Sequence, residues 1–372
     1  MKGAAAALPG FPSLDSLETV LWPGFALIVF VVTAVIVDVI IILSTRFRLV
    51  DLPNLRSAHS LPTARGAGAA IVLTTLIASC VAAYRWPELA NRILFGVMVP
   101  SLVIAVVGFM DDIRPLGAVL RLAIQVSVAA AMTAILGPLP GIELPGMPVM
   151  EFGIIAWPLT IIWIVGLINA FNFMDGADGM AGLGAVVVGL SMAAVAYNVG
   201  ALAPMMVAVF AAAATGGFLV FNWQPARVFM GDVGSGFLGA LFAAVPVLVR
   251  DSLIEAAFVP MVLALWPYVY DPFVSVFRRL WNRKNPLEPH REFFFHRLVR
   301  SGVSHAWVSL LYGALSAAGG LVGLAMVTPA IPAAIRCWLP GVIVVLAAVT
   351  TFAIEWRCSR VPLDGVREAV PP

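Results

Sequence analysis

Eleven stretches of the chain are almost free of charged residues, and short polar segments separate them. They run from Leu21 to Leu43, Ala67 to Ala83, Ile93 to Met110, Ala118 to Leu136, Phe152 to Ile168, Met180 to Tyr197, Ala201 to Phe221, Val233 to Val249, Ala256 to Phe277, Trp307 to Val327 and Cys337 to Ile354. Most approach the roughly 20 residues an α-helix needs to cross a hydrocarbon core of about 30 Å, and their flanks can extend the short ones. Backbone groups in that core must be bonded internally, which selects helices. The pattern predicts an all-α polytopic membrane protein with about 11 transmembrane helices. Residues 1–20 form an extracytoplasmic segment, 21–356 one helical domain, and 357–372 a cytoplasmic tail.

Composition excludes a soluble globule: 61% of the 372 residues are hydrophobic and only 11% charged, with a mean hydropathy of +1.00. The first run is longer than a signal-peptide core and no basic segment precedes it, so it reads as a retained span. Cys80, Cys337 and Cys358 show neither metal-ligand nor disulfide-framework spacing.

The net charge is only +2, but its placement gives a direction. One set of inter-helix loops, with the C-terminal tail, carries 17 of the Lys and Arg residues and the other set 5. By the positive-inside rule the N-terminus is then outside and the C-terminus cytoplasmic. Asp51, Asp111, Asp112, Asp175, Asp178, Asp232, Glu288 and Glu292 all fall on the arginine-rich side. Any chemistry belongs to that face, in the loops at 51–66, 111–117, 169–179, 222–235 and 278–305.

Five clusters stand out there. The 51–66 loop, rich in Pro, Gly and Ser, holds Arg56, His59 and Arg65, cations suited to phosphate or to anionic headgroups. Asp111 and Asp112 follow the third run, where mutual repulsion and the negative end of the helix dipole call for a cation: a metal, Arg114 or Arg121. Asn169, Asn172, Asp175 and Asp178 stand three residues apart between the fifth and sixth runs, more than a helix cap requires. Near Asn222, Asp232 opens the eighth run among Gly231, Gly234, Ser235 and Gly236, a turn that favours anions unless the aspartate holds a metal the anion also binds. His290, Arg291, His296 and Arg297 form a basic cluster around Phe293, Phe294 and Phe295, fitted to a diphosphate or to an interfacial helix. Together these are the parts for Mg²⁺-assisted chemistry between a phosphate-bearing nucleotide and a lipid-soluble partner. Nothing points to nucleic acid.

The motifs RSAHSLPTARGAG (Arg56 to Gly68), GFMDDIRPLGAVLRLAIQ (Gly108 to Gln125), NAFNFMDGADGMAG (Asn169 to Gly182) and FNWQPARVFMGDVGSGFLG (Phe221 to Gly239) resemble, in sequence and order, the polyprenyl-phosphate N-acetylhexosamine-1-phosphate transferases of glycosyltransferase family 4. The resemblance covers roughly Asp51 to His305 and is nearest to the branch that initiates O-antigen and other surface polysaccharides.

It implies a bacterial enzyme of the cytoplasmic (inner) membrane. The implied reaction moves a UDP-activated N-acetylhexosamine 1-phosphate onto undecaprenyl phosphate and releases UMP. The implied cofactor is Mg²⁺, with Mn²⁺ as an alternative, and a homodimer is compatible. Asp111, Asp112, Asp175 and Asp178 would be catalytic, and Asp232, with Asp111 and Asp112, would hold the metal. Arg56, His59, Arg65, Asn169, Asn172, Asn222, His290, Arg291 and His296 would bind substrate. Direct transfer and a covalent phospho-enzyme both stay open.

HREFFFHRL (His290 to Leu298) departs from the family, placing Phe293 and Phe295 where relatives carry histidines. That argues against the phospho-MurNAc-pentapeptide branch. Asp38 and Asp271 lie inside spans, as in an ion-coupled transporter, but most acids sit at one face, and Asp271 falls close enough to that face to support the active site instead. An inactive scaffold of the same fold predicts loss of the five motif aspartates, and none is lost.

Overall fold

A computed structural model describes residues 17–47, 50–51, 63–64, 66–249, 254–285 and 290–360; Arg56, His59, Arg65 and Glu288 lie outside them. Among the described residues ten helices are long and apolar enough to cross a membrane, and an eleventh apolar helix is shorter. Each of the eleven runs corresponds to one of them.

The helices are α1 (Leu17–Phe47), α2 (Gly68–Arg85), α3 (Val99–Ile113), α4 (Ala118–Leu136), α5 (Ala156–Phe173), α6 (Met180–Asn198) and α7 (Leu202–Asn222). After them come α8 (Gly231–Val247), α9 (Ile254–Val262), α10 (Trp266–Trp281), α11 (Phe294–Arg300), α12 (His305–Val327) and α13 (Leu339–Arg360). A five-residue helix and the π-helical turn Arg92–Met98 lead into α3, so the third span starts at Pro87. Pro100, just inside α3, has no N–H to bond the carbonyl one turn back, and the turn before it is wound wider. The ninth span is α9 and α10 joined by a 3₁₀ turn at Leu263–Leu265, with Pro260 and Pro267 on either side. Two short antiparallel strand pairs also lie among the described residues, Val50–Asp51 with Thr63–Ala64 and Gly141–Ile142 with Met150–Glu151.

α8 is the axis of the bundle. Every residue from Val233 to Val247 is buried, and α2, α3, α5, α6, α7 and α9 pack around it. Its 17 residues span about 26 Å at 1.5 Å each, short of a full crossing. The shortfall is harmless because protein, not lipid, surrounds it. Small residues let its neighbours approach closely. A Cβ on Gly108 of α3 would meet the Asp232 carbonyl oxygen at 2.3 Å, one on Gly68 of α2 would meet the Gly234 Cα at 2.6 Å, and one on Gly239 would meet the Ile168 Cα of α5 at 2.8 Å. These contacts draw the ends of α2, α3 and α5 against the start of α8, and the motif aspartates become neighbours.

Candidate active site

Asp111 and Asp112 lie within the last turn of α3, not beyond the helix as the sequence suggests. Side by side in sequence, they are about 100° apart around the axis, and their carboxylates part company. Asp111 turns to the α3–α4 connection, where Oδ1 accepts the Leu116 N–H at 2.6 Å and Oδ2 accepts from Arg121 Nη1 at 2.7 Å. The same Nη1 lies 3.6 Å from Asp232 Oδ2, and the Asp232 carboxyl also contacts Asn172 and Asp111. Arg121, one of the cations the sequence offered, bridges the two acids. The Asp232 side chain stays 27% exposed, so a ligand can reach it.

Asp112 turns the other way and caps α8 from outside, accepting the N–H groups of Asp232 at 3.2 Å and Val233 at 3.3 Å. Met230, the cap position of α8 itself, makes no side-chain cap. A charge unfavourable at the end of α3 is thereby set at the positive end of α8. Gly231 makes room for it, with φ +72° and a Cβ position 2.5 Å from Asp112 Oδ2. Asp232 is therefore not a helix cap.

The loop after α5 closes a third side. Asn172 Nδ2 donates to Ser235 Oγ at 3.0 Å, and that hydroxyl donates to the Gly231 carbonyl. Asp178 does not cap α6; the cap position is Gly179, left-handed at φ +74°, whose N–H goes to Asn222 Oδ1 at 3.1 Å. The buried Asn222 holds the next loop too, donating to the Val228 carbonyl at 2.8 Å. Asp178 Oδ2 accepts the Ala226 N–H at 3.2 Å, and Oδ1 lies 3.4 Å from His305 Nδ1. Asp175 starts this loop, its N–H on the Asn172 carbonyl. Asn169, one turn earlier, instead ties α5 to α4 through Gln125 Oε1 at 2.7 Å. The end of the first loop joins the same place, with the N–H groups of Ala67 and Gly68 on the carbonyls of Phe229 and Met230.

The histidine segment is seated by Asp271, an acid the sequence offered to a transporter. Its carboxylate, 1% exposed, accepts from the Phe294 and Phe295 N–H groups, the Tyr312 hydroxyl and Ser275 Oγ. It thus caps α11 rather than lining a path. The segment's two departures from family pattern are apolar contacts: Phe293 stacks on Phe173, and a Cβ on Gly176 would meet Phe295 at 2.7 Å. The His296 ring stacks on Phe295 at 4.0 Å, with Nε2 facing Gly176 between Asp175 and Asp178. Asp38, half-buried in α1, is not explained by this arrangement.

The segment is less cationic than the sequence suggests. Arg297 is held by both oxygens of Glu355. Burial, then the nearby Arg279, lowers the His290 pKa. Burial, then Arg291, pushes His296 down to about 4. Nδ1 of His296 is buried without a hydrogen-bond partner among the described residues. The ring is therefore neutral at physiological pH, a hydrogen-bonding surface and not a charge. Its folded value lies below the 6.5 of a free histidine, so the neutral form favours the fold above about pH 6.5, and that contribution is lost as pH falls toward 4. In histidine-labelled protein, one ring is expected not to titrate between about pH 8 and 5 by NMR, and to be the signal missing in His296→Gln; titration of that signal near 6.5 contradicts the assignment.

His305 and Tyr312 emerge from the structure as partners of the site, beside Asp271. Only position hinted at His305, just after Ser304, whose hydroxyl caps α12. Asp232 and Asp111 together offer hard oxygen donors beside an opening, the kind of set Mg²⁺ takes when phosphate oxygens complete its shell. Among the described residues no three His, Cys, Asp or Glu side chains converge as a closed metal cage.

What the fold and this face define is an integral-membrane enzyme with its polar machinery gathered at one end of the bundle. The family pattern described as Glycosyl transferase family 4 matches residues 94–250. A probable undecaprenyl-phosphate N-acetylglucosaminyl 1-phosphate transferase of Bacillus subtilis is 31% identical over 285 residues, 75% of this chain and 78% of that protein. A decaprenyl-phosphate N-acetylglucosaminephosphotransferase of Mycolicibacterium smegmatis is 28% identical over 305 residues, covering 73% of each. A phospho-N-acetylmuramoyl-pentapeptide-transferase of Streptococcus agalactiae aligns over only 49% of the chain, at 30% identity. The chain belongs to glycosyl transferase family 4, the polyprenyl-phosphate hexosamine-1-phosphate transferases, and is a membrane phosphotransferase.

Proposed function

We propose that the chain transfers N-acetylhexosamine 1-phosphate from a UDP-sugar to undecaprenyl phosphate, as the first step of a lipid-linked surface glycan. The observation that carries this reading is the joining of Asp111, Arg121, Asp232 and Asn172 at one membrane face, in a chain similar over most of its length to two polyprenyl-phosphate N-acetylglucosamine transferases. N-acetylglucosamine is accordingly the first donor to test. The arginine-rich face is assigned to the cytoplasm, where UDP-sugars are made.

An oxygen of the acceptor phosphate attacks the β-phosphorus of the donor. The new P–O bond forms as the bond to the bridging oxygen breaks, and the electron pair leaves with UMP. Mg²⁺ on Asp232 and Asp111 would supply neutralisation of the diphosphate charge. Arg121 holds those carboxylates together and presents a cation to the acceptor phosphate. The phosphate is largely ionised at pH 7, so orientation by Asp111, Arg121 and Asn172 outweighs proton removal. Asp112 acts at a distance, fixing the start of α8 and with it Asp232. Asp175, Asp178 and neutral His296 form the wall against which the donor is held.

The test is UMP release by purified protein in detergent, with undecaprenyl phosphate, Mg²⁺ and a panel of UDP-N-acetylhexosamines. Release that requires both lipid and metal is expected. Release without lipid, or none with any donor, overturns the reading.

A further inference from the structure

No step of the transfer uses Glu355, the acid just past the eleventh apolar run. Little of its helix, α13, is buried, and a carboxylate left unpaired at the membrane edge is costly. Glu355 lies sixteen residues beyond Leu339, about 24 Å along α13, and so near its C-terminal end. Before it, the inward side of α13 packs Ile343 and Ala347 on Trp266, and Thr351 bonds the Tyr270 hydroxyl at 2.8 Å. At Glu355 the contacts become ionic.

One carboxylate there joins two other elements. Oε1 accepts from Arg278 Nη2 of α10 at 2.6 Å and from Arg297 Nη1 of α11 at 2.5 Å, and Oε2 accepts from Arg297 Nη2 at 2.7 Å. Both guanidinium groups lie over the Phe294 ring, at 5.1 and 5.9 Å. Two residues on, Arg357 donates to the Ser301 hydroxyl at 3.0 Å and to its carbonyl at 3.2 Å, just past the end of α11. α11 is therefore held at its start by Asp271 of α10 and along its side and far end by α13.

The two holds differ in what they resist. The Phe294 and Phe295 N–H groups on Asp271 lie close to the helix axis, so they stop α11 sliding but resist its rotation weakly. Arg297 reaches outward, and its bidentate pairing with Glu355 has a fixed direction. His296 is the next residue, about 100° around the same axis. With a ring about 5 Å from that axis, a 20° turn of the helix moves it about 2 Å. Its Nε2 faces Gly176 between Asp175 and Asp178, and a shift of that size changes the wall there.

We propose that Glu355 is a positioning residue for the donor: by holding Arg297 it sets the rotation of α11, and with it the place of His296 in the wall that the UDP-sugar meets. The proposal rests on the transfer reading above. Arg297 is then an anchor and not a ligand of the diphosphate, and α13, beyond the four sequence motifs, takes part in donor recognition.

Glu355→Gln in the full-length protein tests this, since Glu355 is 43% exposed and the amide fits the same space. KM for UDP-N-acetylglucosamine is expected to rise about tenfold and KM for undecaprenyl phosphate to stay within twofold. Glu355→Asp, which keeps the charge, is expected to recover most of the loss. A lower donor KM in Glu355→Gln, as follows if a freed Arg297 grips the diphosphate, overturns the proposal. An equal rise in both KM values, the mark of general loosening, overturns it too. Arg297→Gln is expected to match Glu355→Gln, and the double variant to be no worse than either; additive losses show that Arg297 acts apart from Glu355 and overturn the pairing.

Hydrogen exchange separates this from the transfer reading. Amides of residues 294–301 are expected to exchange about tenfold faster in Glu355→Gln, with those of the α3–α4 connection unchanged. Equal rates at 294–301 overturn the positioning role. Should the wild type release no UMP with any donor while that contrast stands, the transfer reading fails and the hold of Glu355 on α11 does not.

Discussion

Asp232→Asn is expected to lower kcat/KM about a thousandfold at any Mg²⁺ concentration while leaving the unfolding midpoint in detergent unchanged. The substitution keeps the shape of the side chain and its contact with Asn172, so it removes charge and little else. It replaces an acceptor oxygen 3.6 Å from Arg121 by an amide that cannot balance that cation or bind a metal through both atoms. Asp112→Asn is the informative contrast. Both Asp112 oxygens accept N–H groups at the start of α8, so its loss is expected to lower stability and activity together without shifting the Mg²⁺ concentration for half-maximal rate. UMP release measured against Mg²⁺, with unfolding followed in parallel, separates the two. Near-normal turnover in Asp232→Asn sinks the metal-ligand assignment, and a shifted Mg²⁺ requirement in Asp112→Asn sinks the division of labour between the adjacent acids.

That division marks the boundary of what the chain reveals as a string of letters. The eleven spans were legible because hydrophobic length is a local property. So was the gathering of aspartates on one face, because helix after helix simply reverses direction. The two members of the Asp111–Asp112 pair looked equivalent because sequence adjacency hides their separation around the axis of α3. Only the packing of Gly108 against the start of α8, and the room that Gly231 leaves there for Asp112, decide which carboxylate faces Arg121 and which caps a helix. The histidine segment misled for a related reason. Its residues are basic by type, but burial makes His296 a neutral ring, and Glu355, far away in sequence, holds Arg297. α8 is too short for a helix that must face lipid, and its central position removes that requirement.

Asp271→Ala is expected to destabilise the protein by about 3 kcal/mol or more and to raise KM for the UDP-sugar more than KM for the lipid. Phe294 N–H, Phe295 N–H and the Tyr312 hydroxyl all rely on this carboxylate, and each buried donor left without a partner costs about 1–3 kcal/mol. α11 has only seven residues and cannot hold itself together alone. Losing its cap frees the strip that carries Phe295 and His296 against Gly176. The donor side of the site then loosens while Asp111 and Arg121, fixed by the α3–α4 connection, keep their geometry. Tyr312→Phe, which removes one donor and leaves the carboxylate bonded to both N–H groups, is expected to lose only about 1 kcal/mol and little donor affinity. Thermal unfolding in detergent and separate KM values for the two substrates read the outcome. A variant with the wild-type midpoint and unchanged donor KM would show that the histidine strip is positioned by something other than Asp271. The buried carboxylate would then need another use, of the kind the position inside a span first suggested.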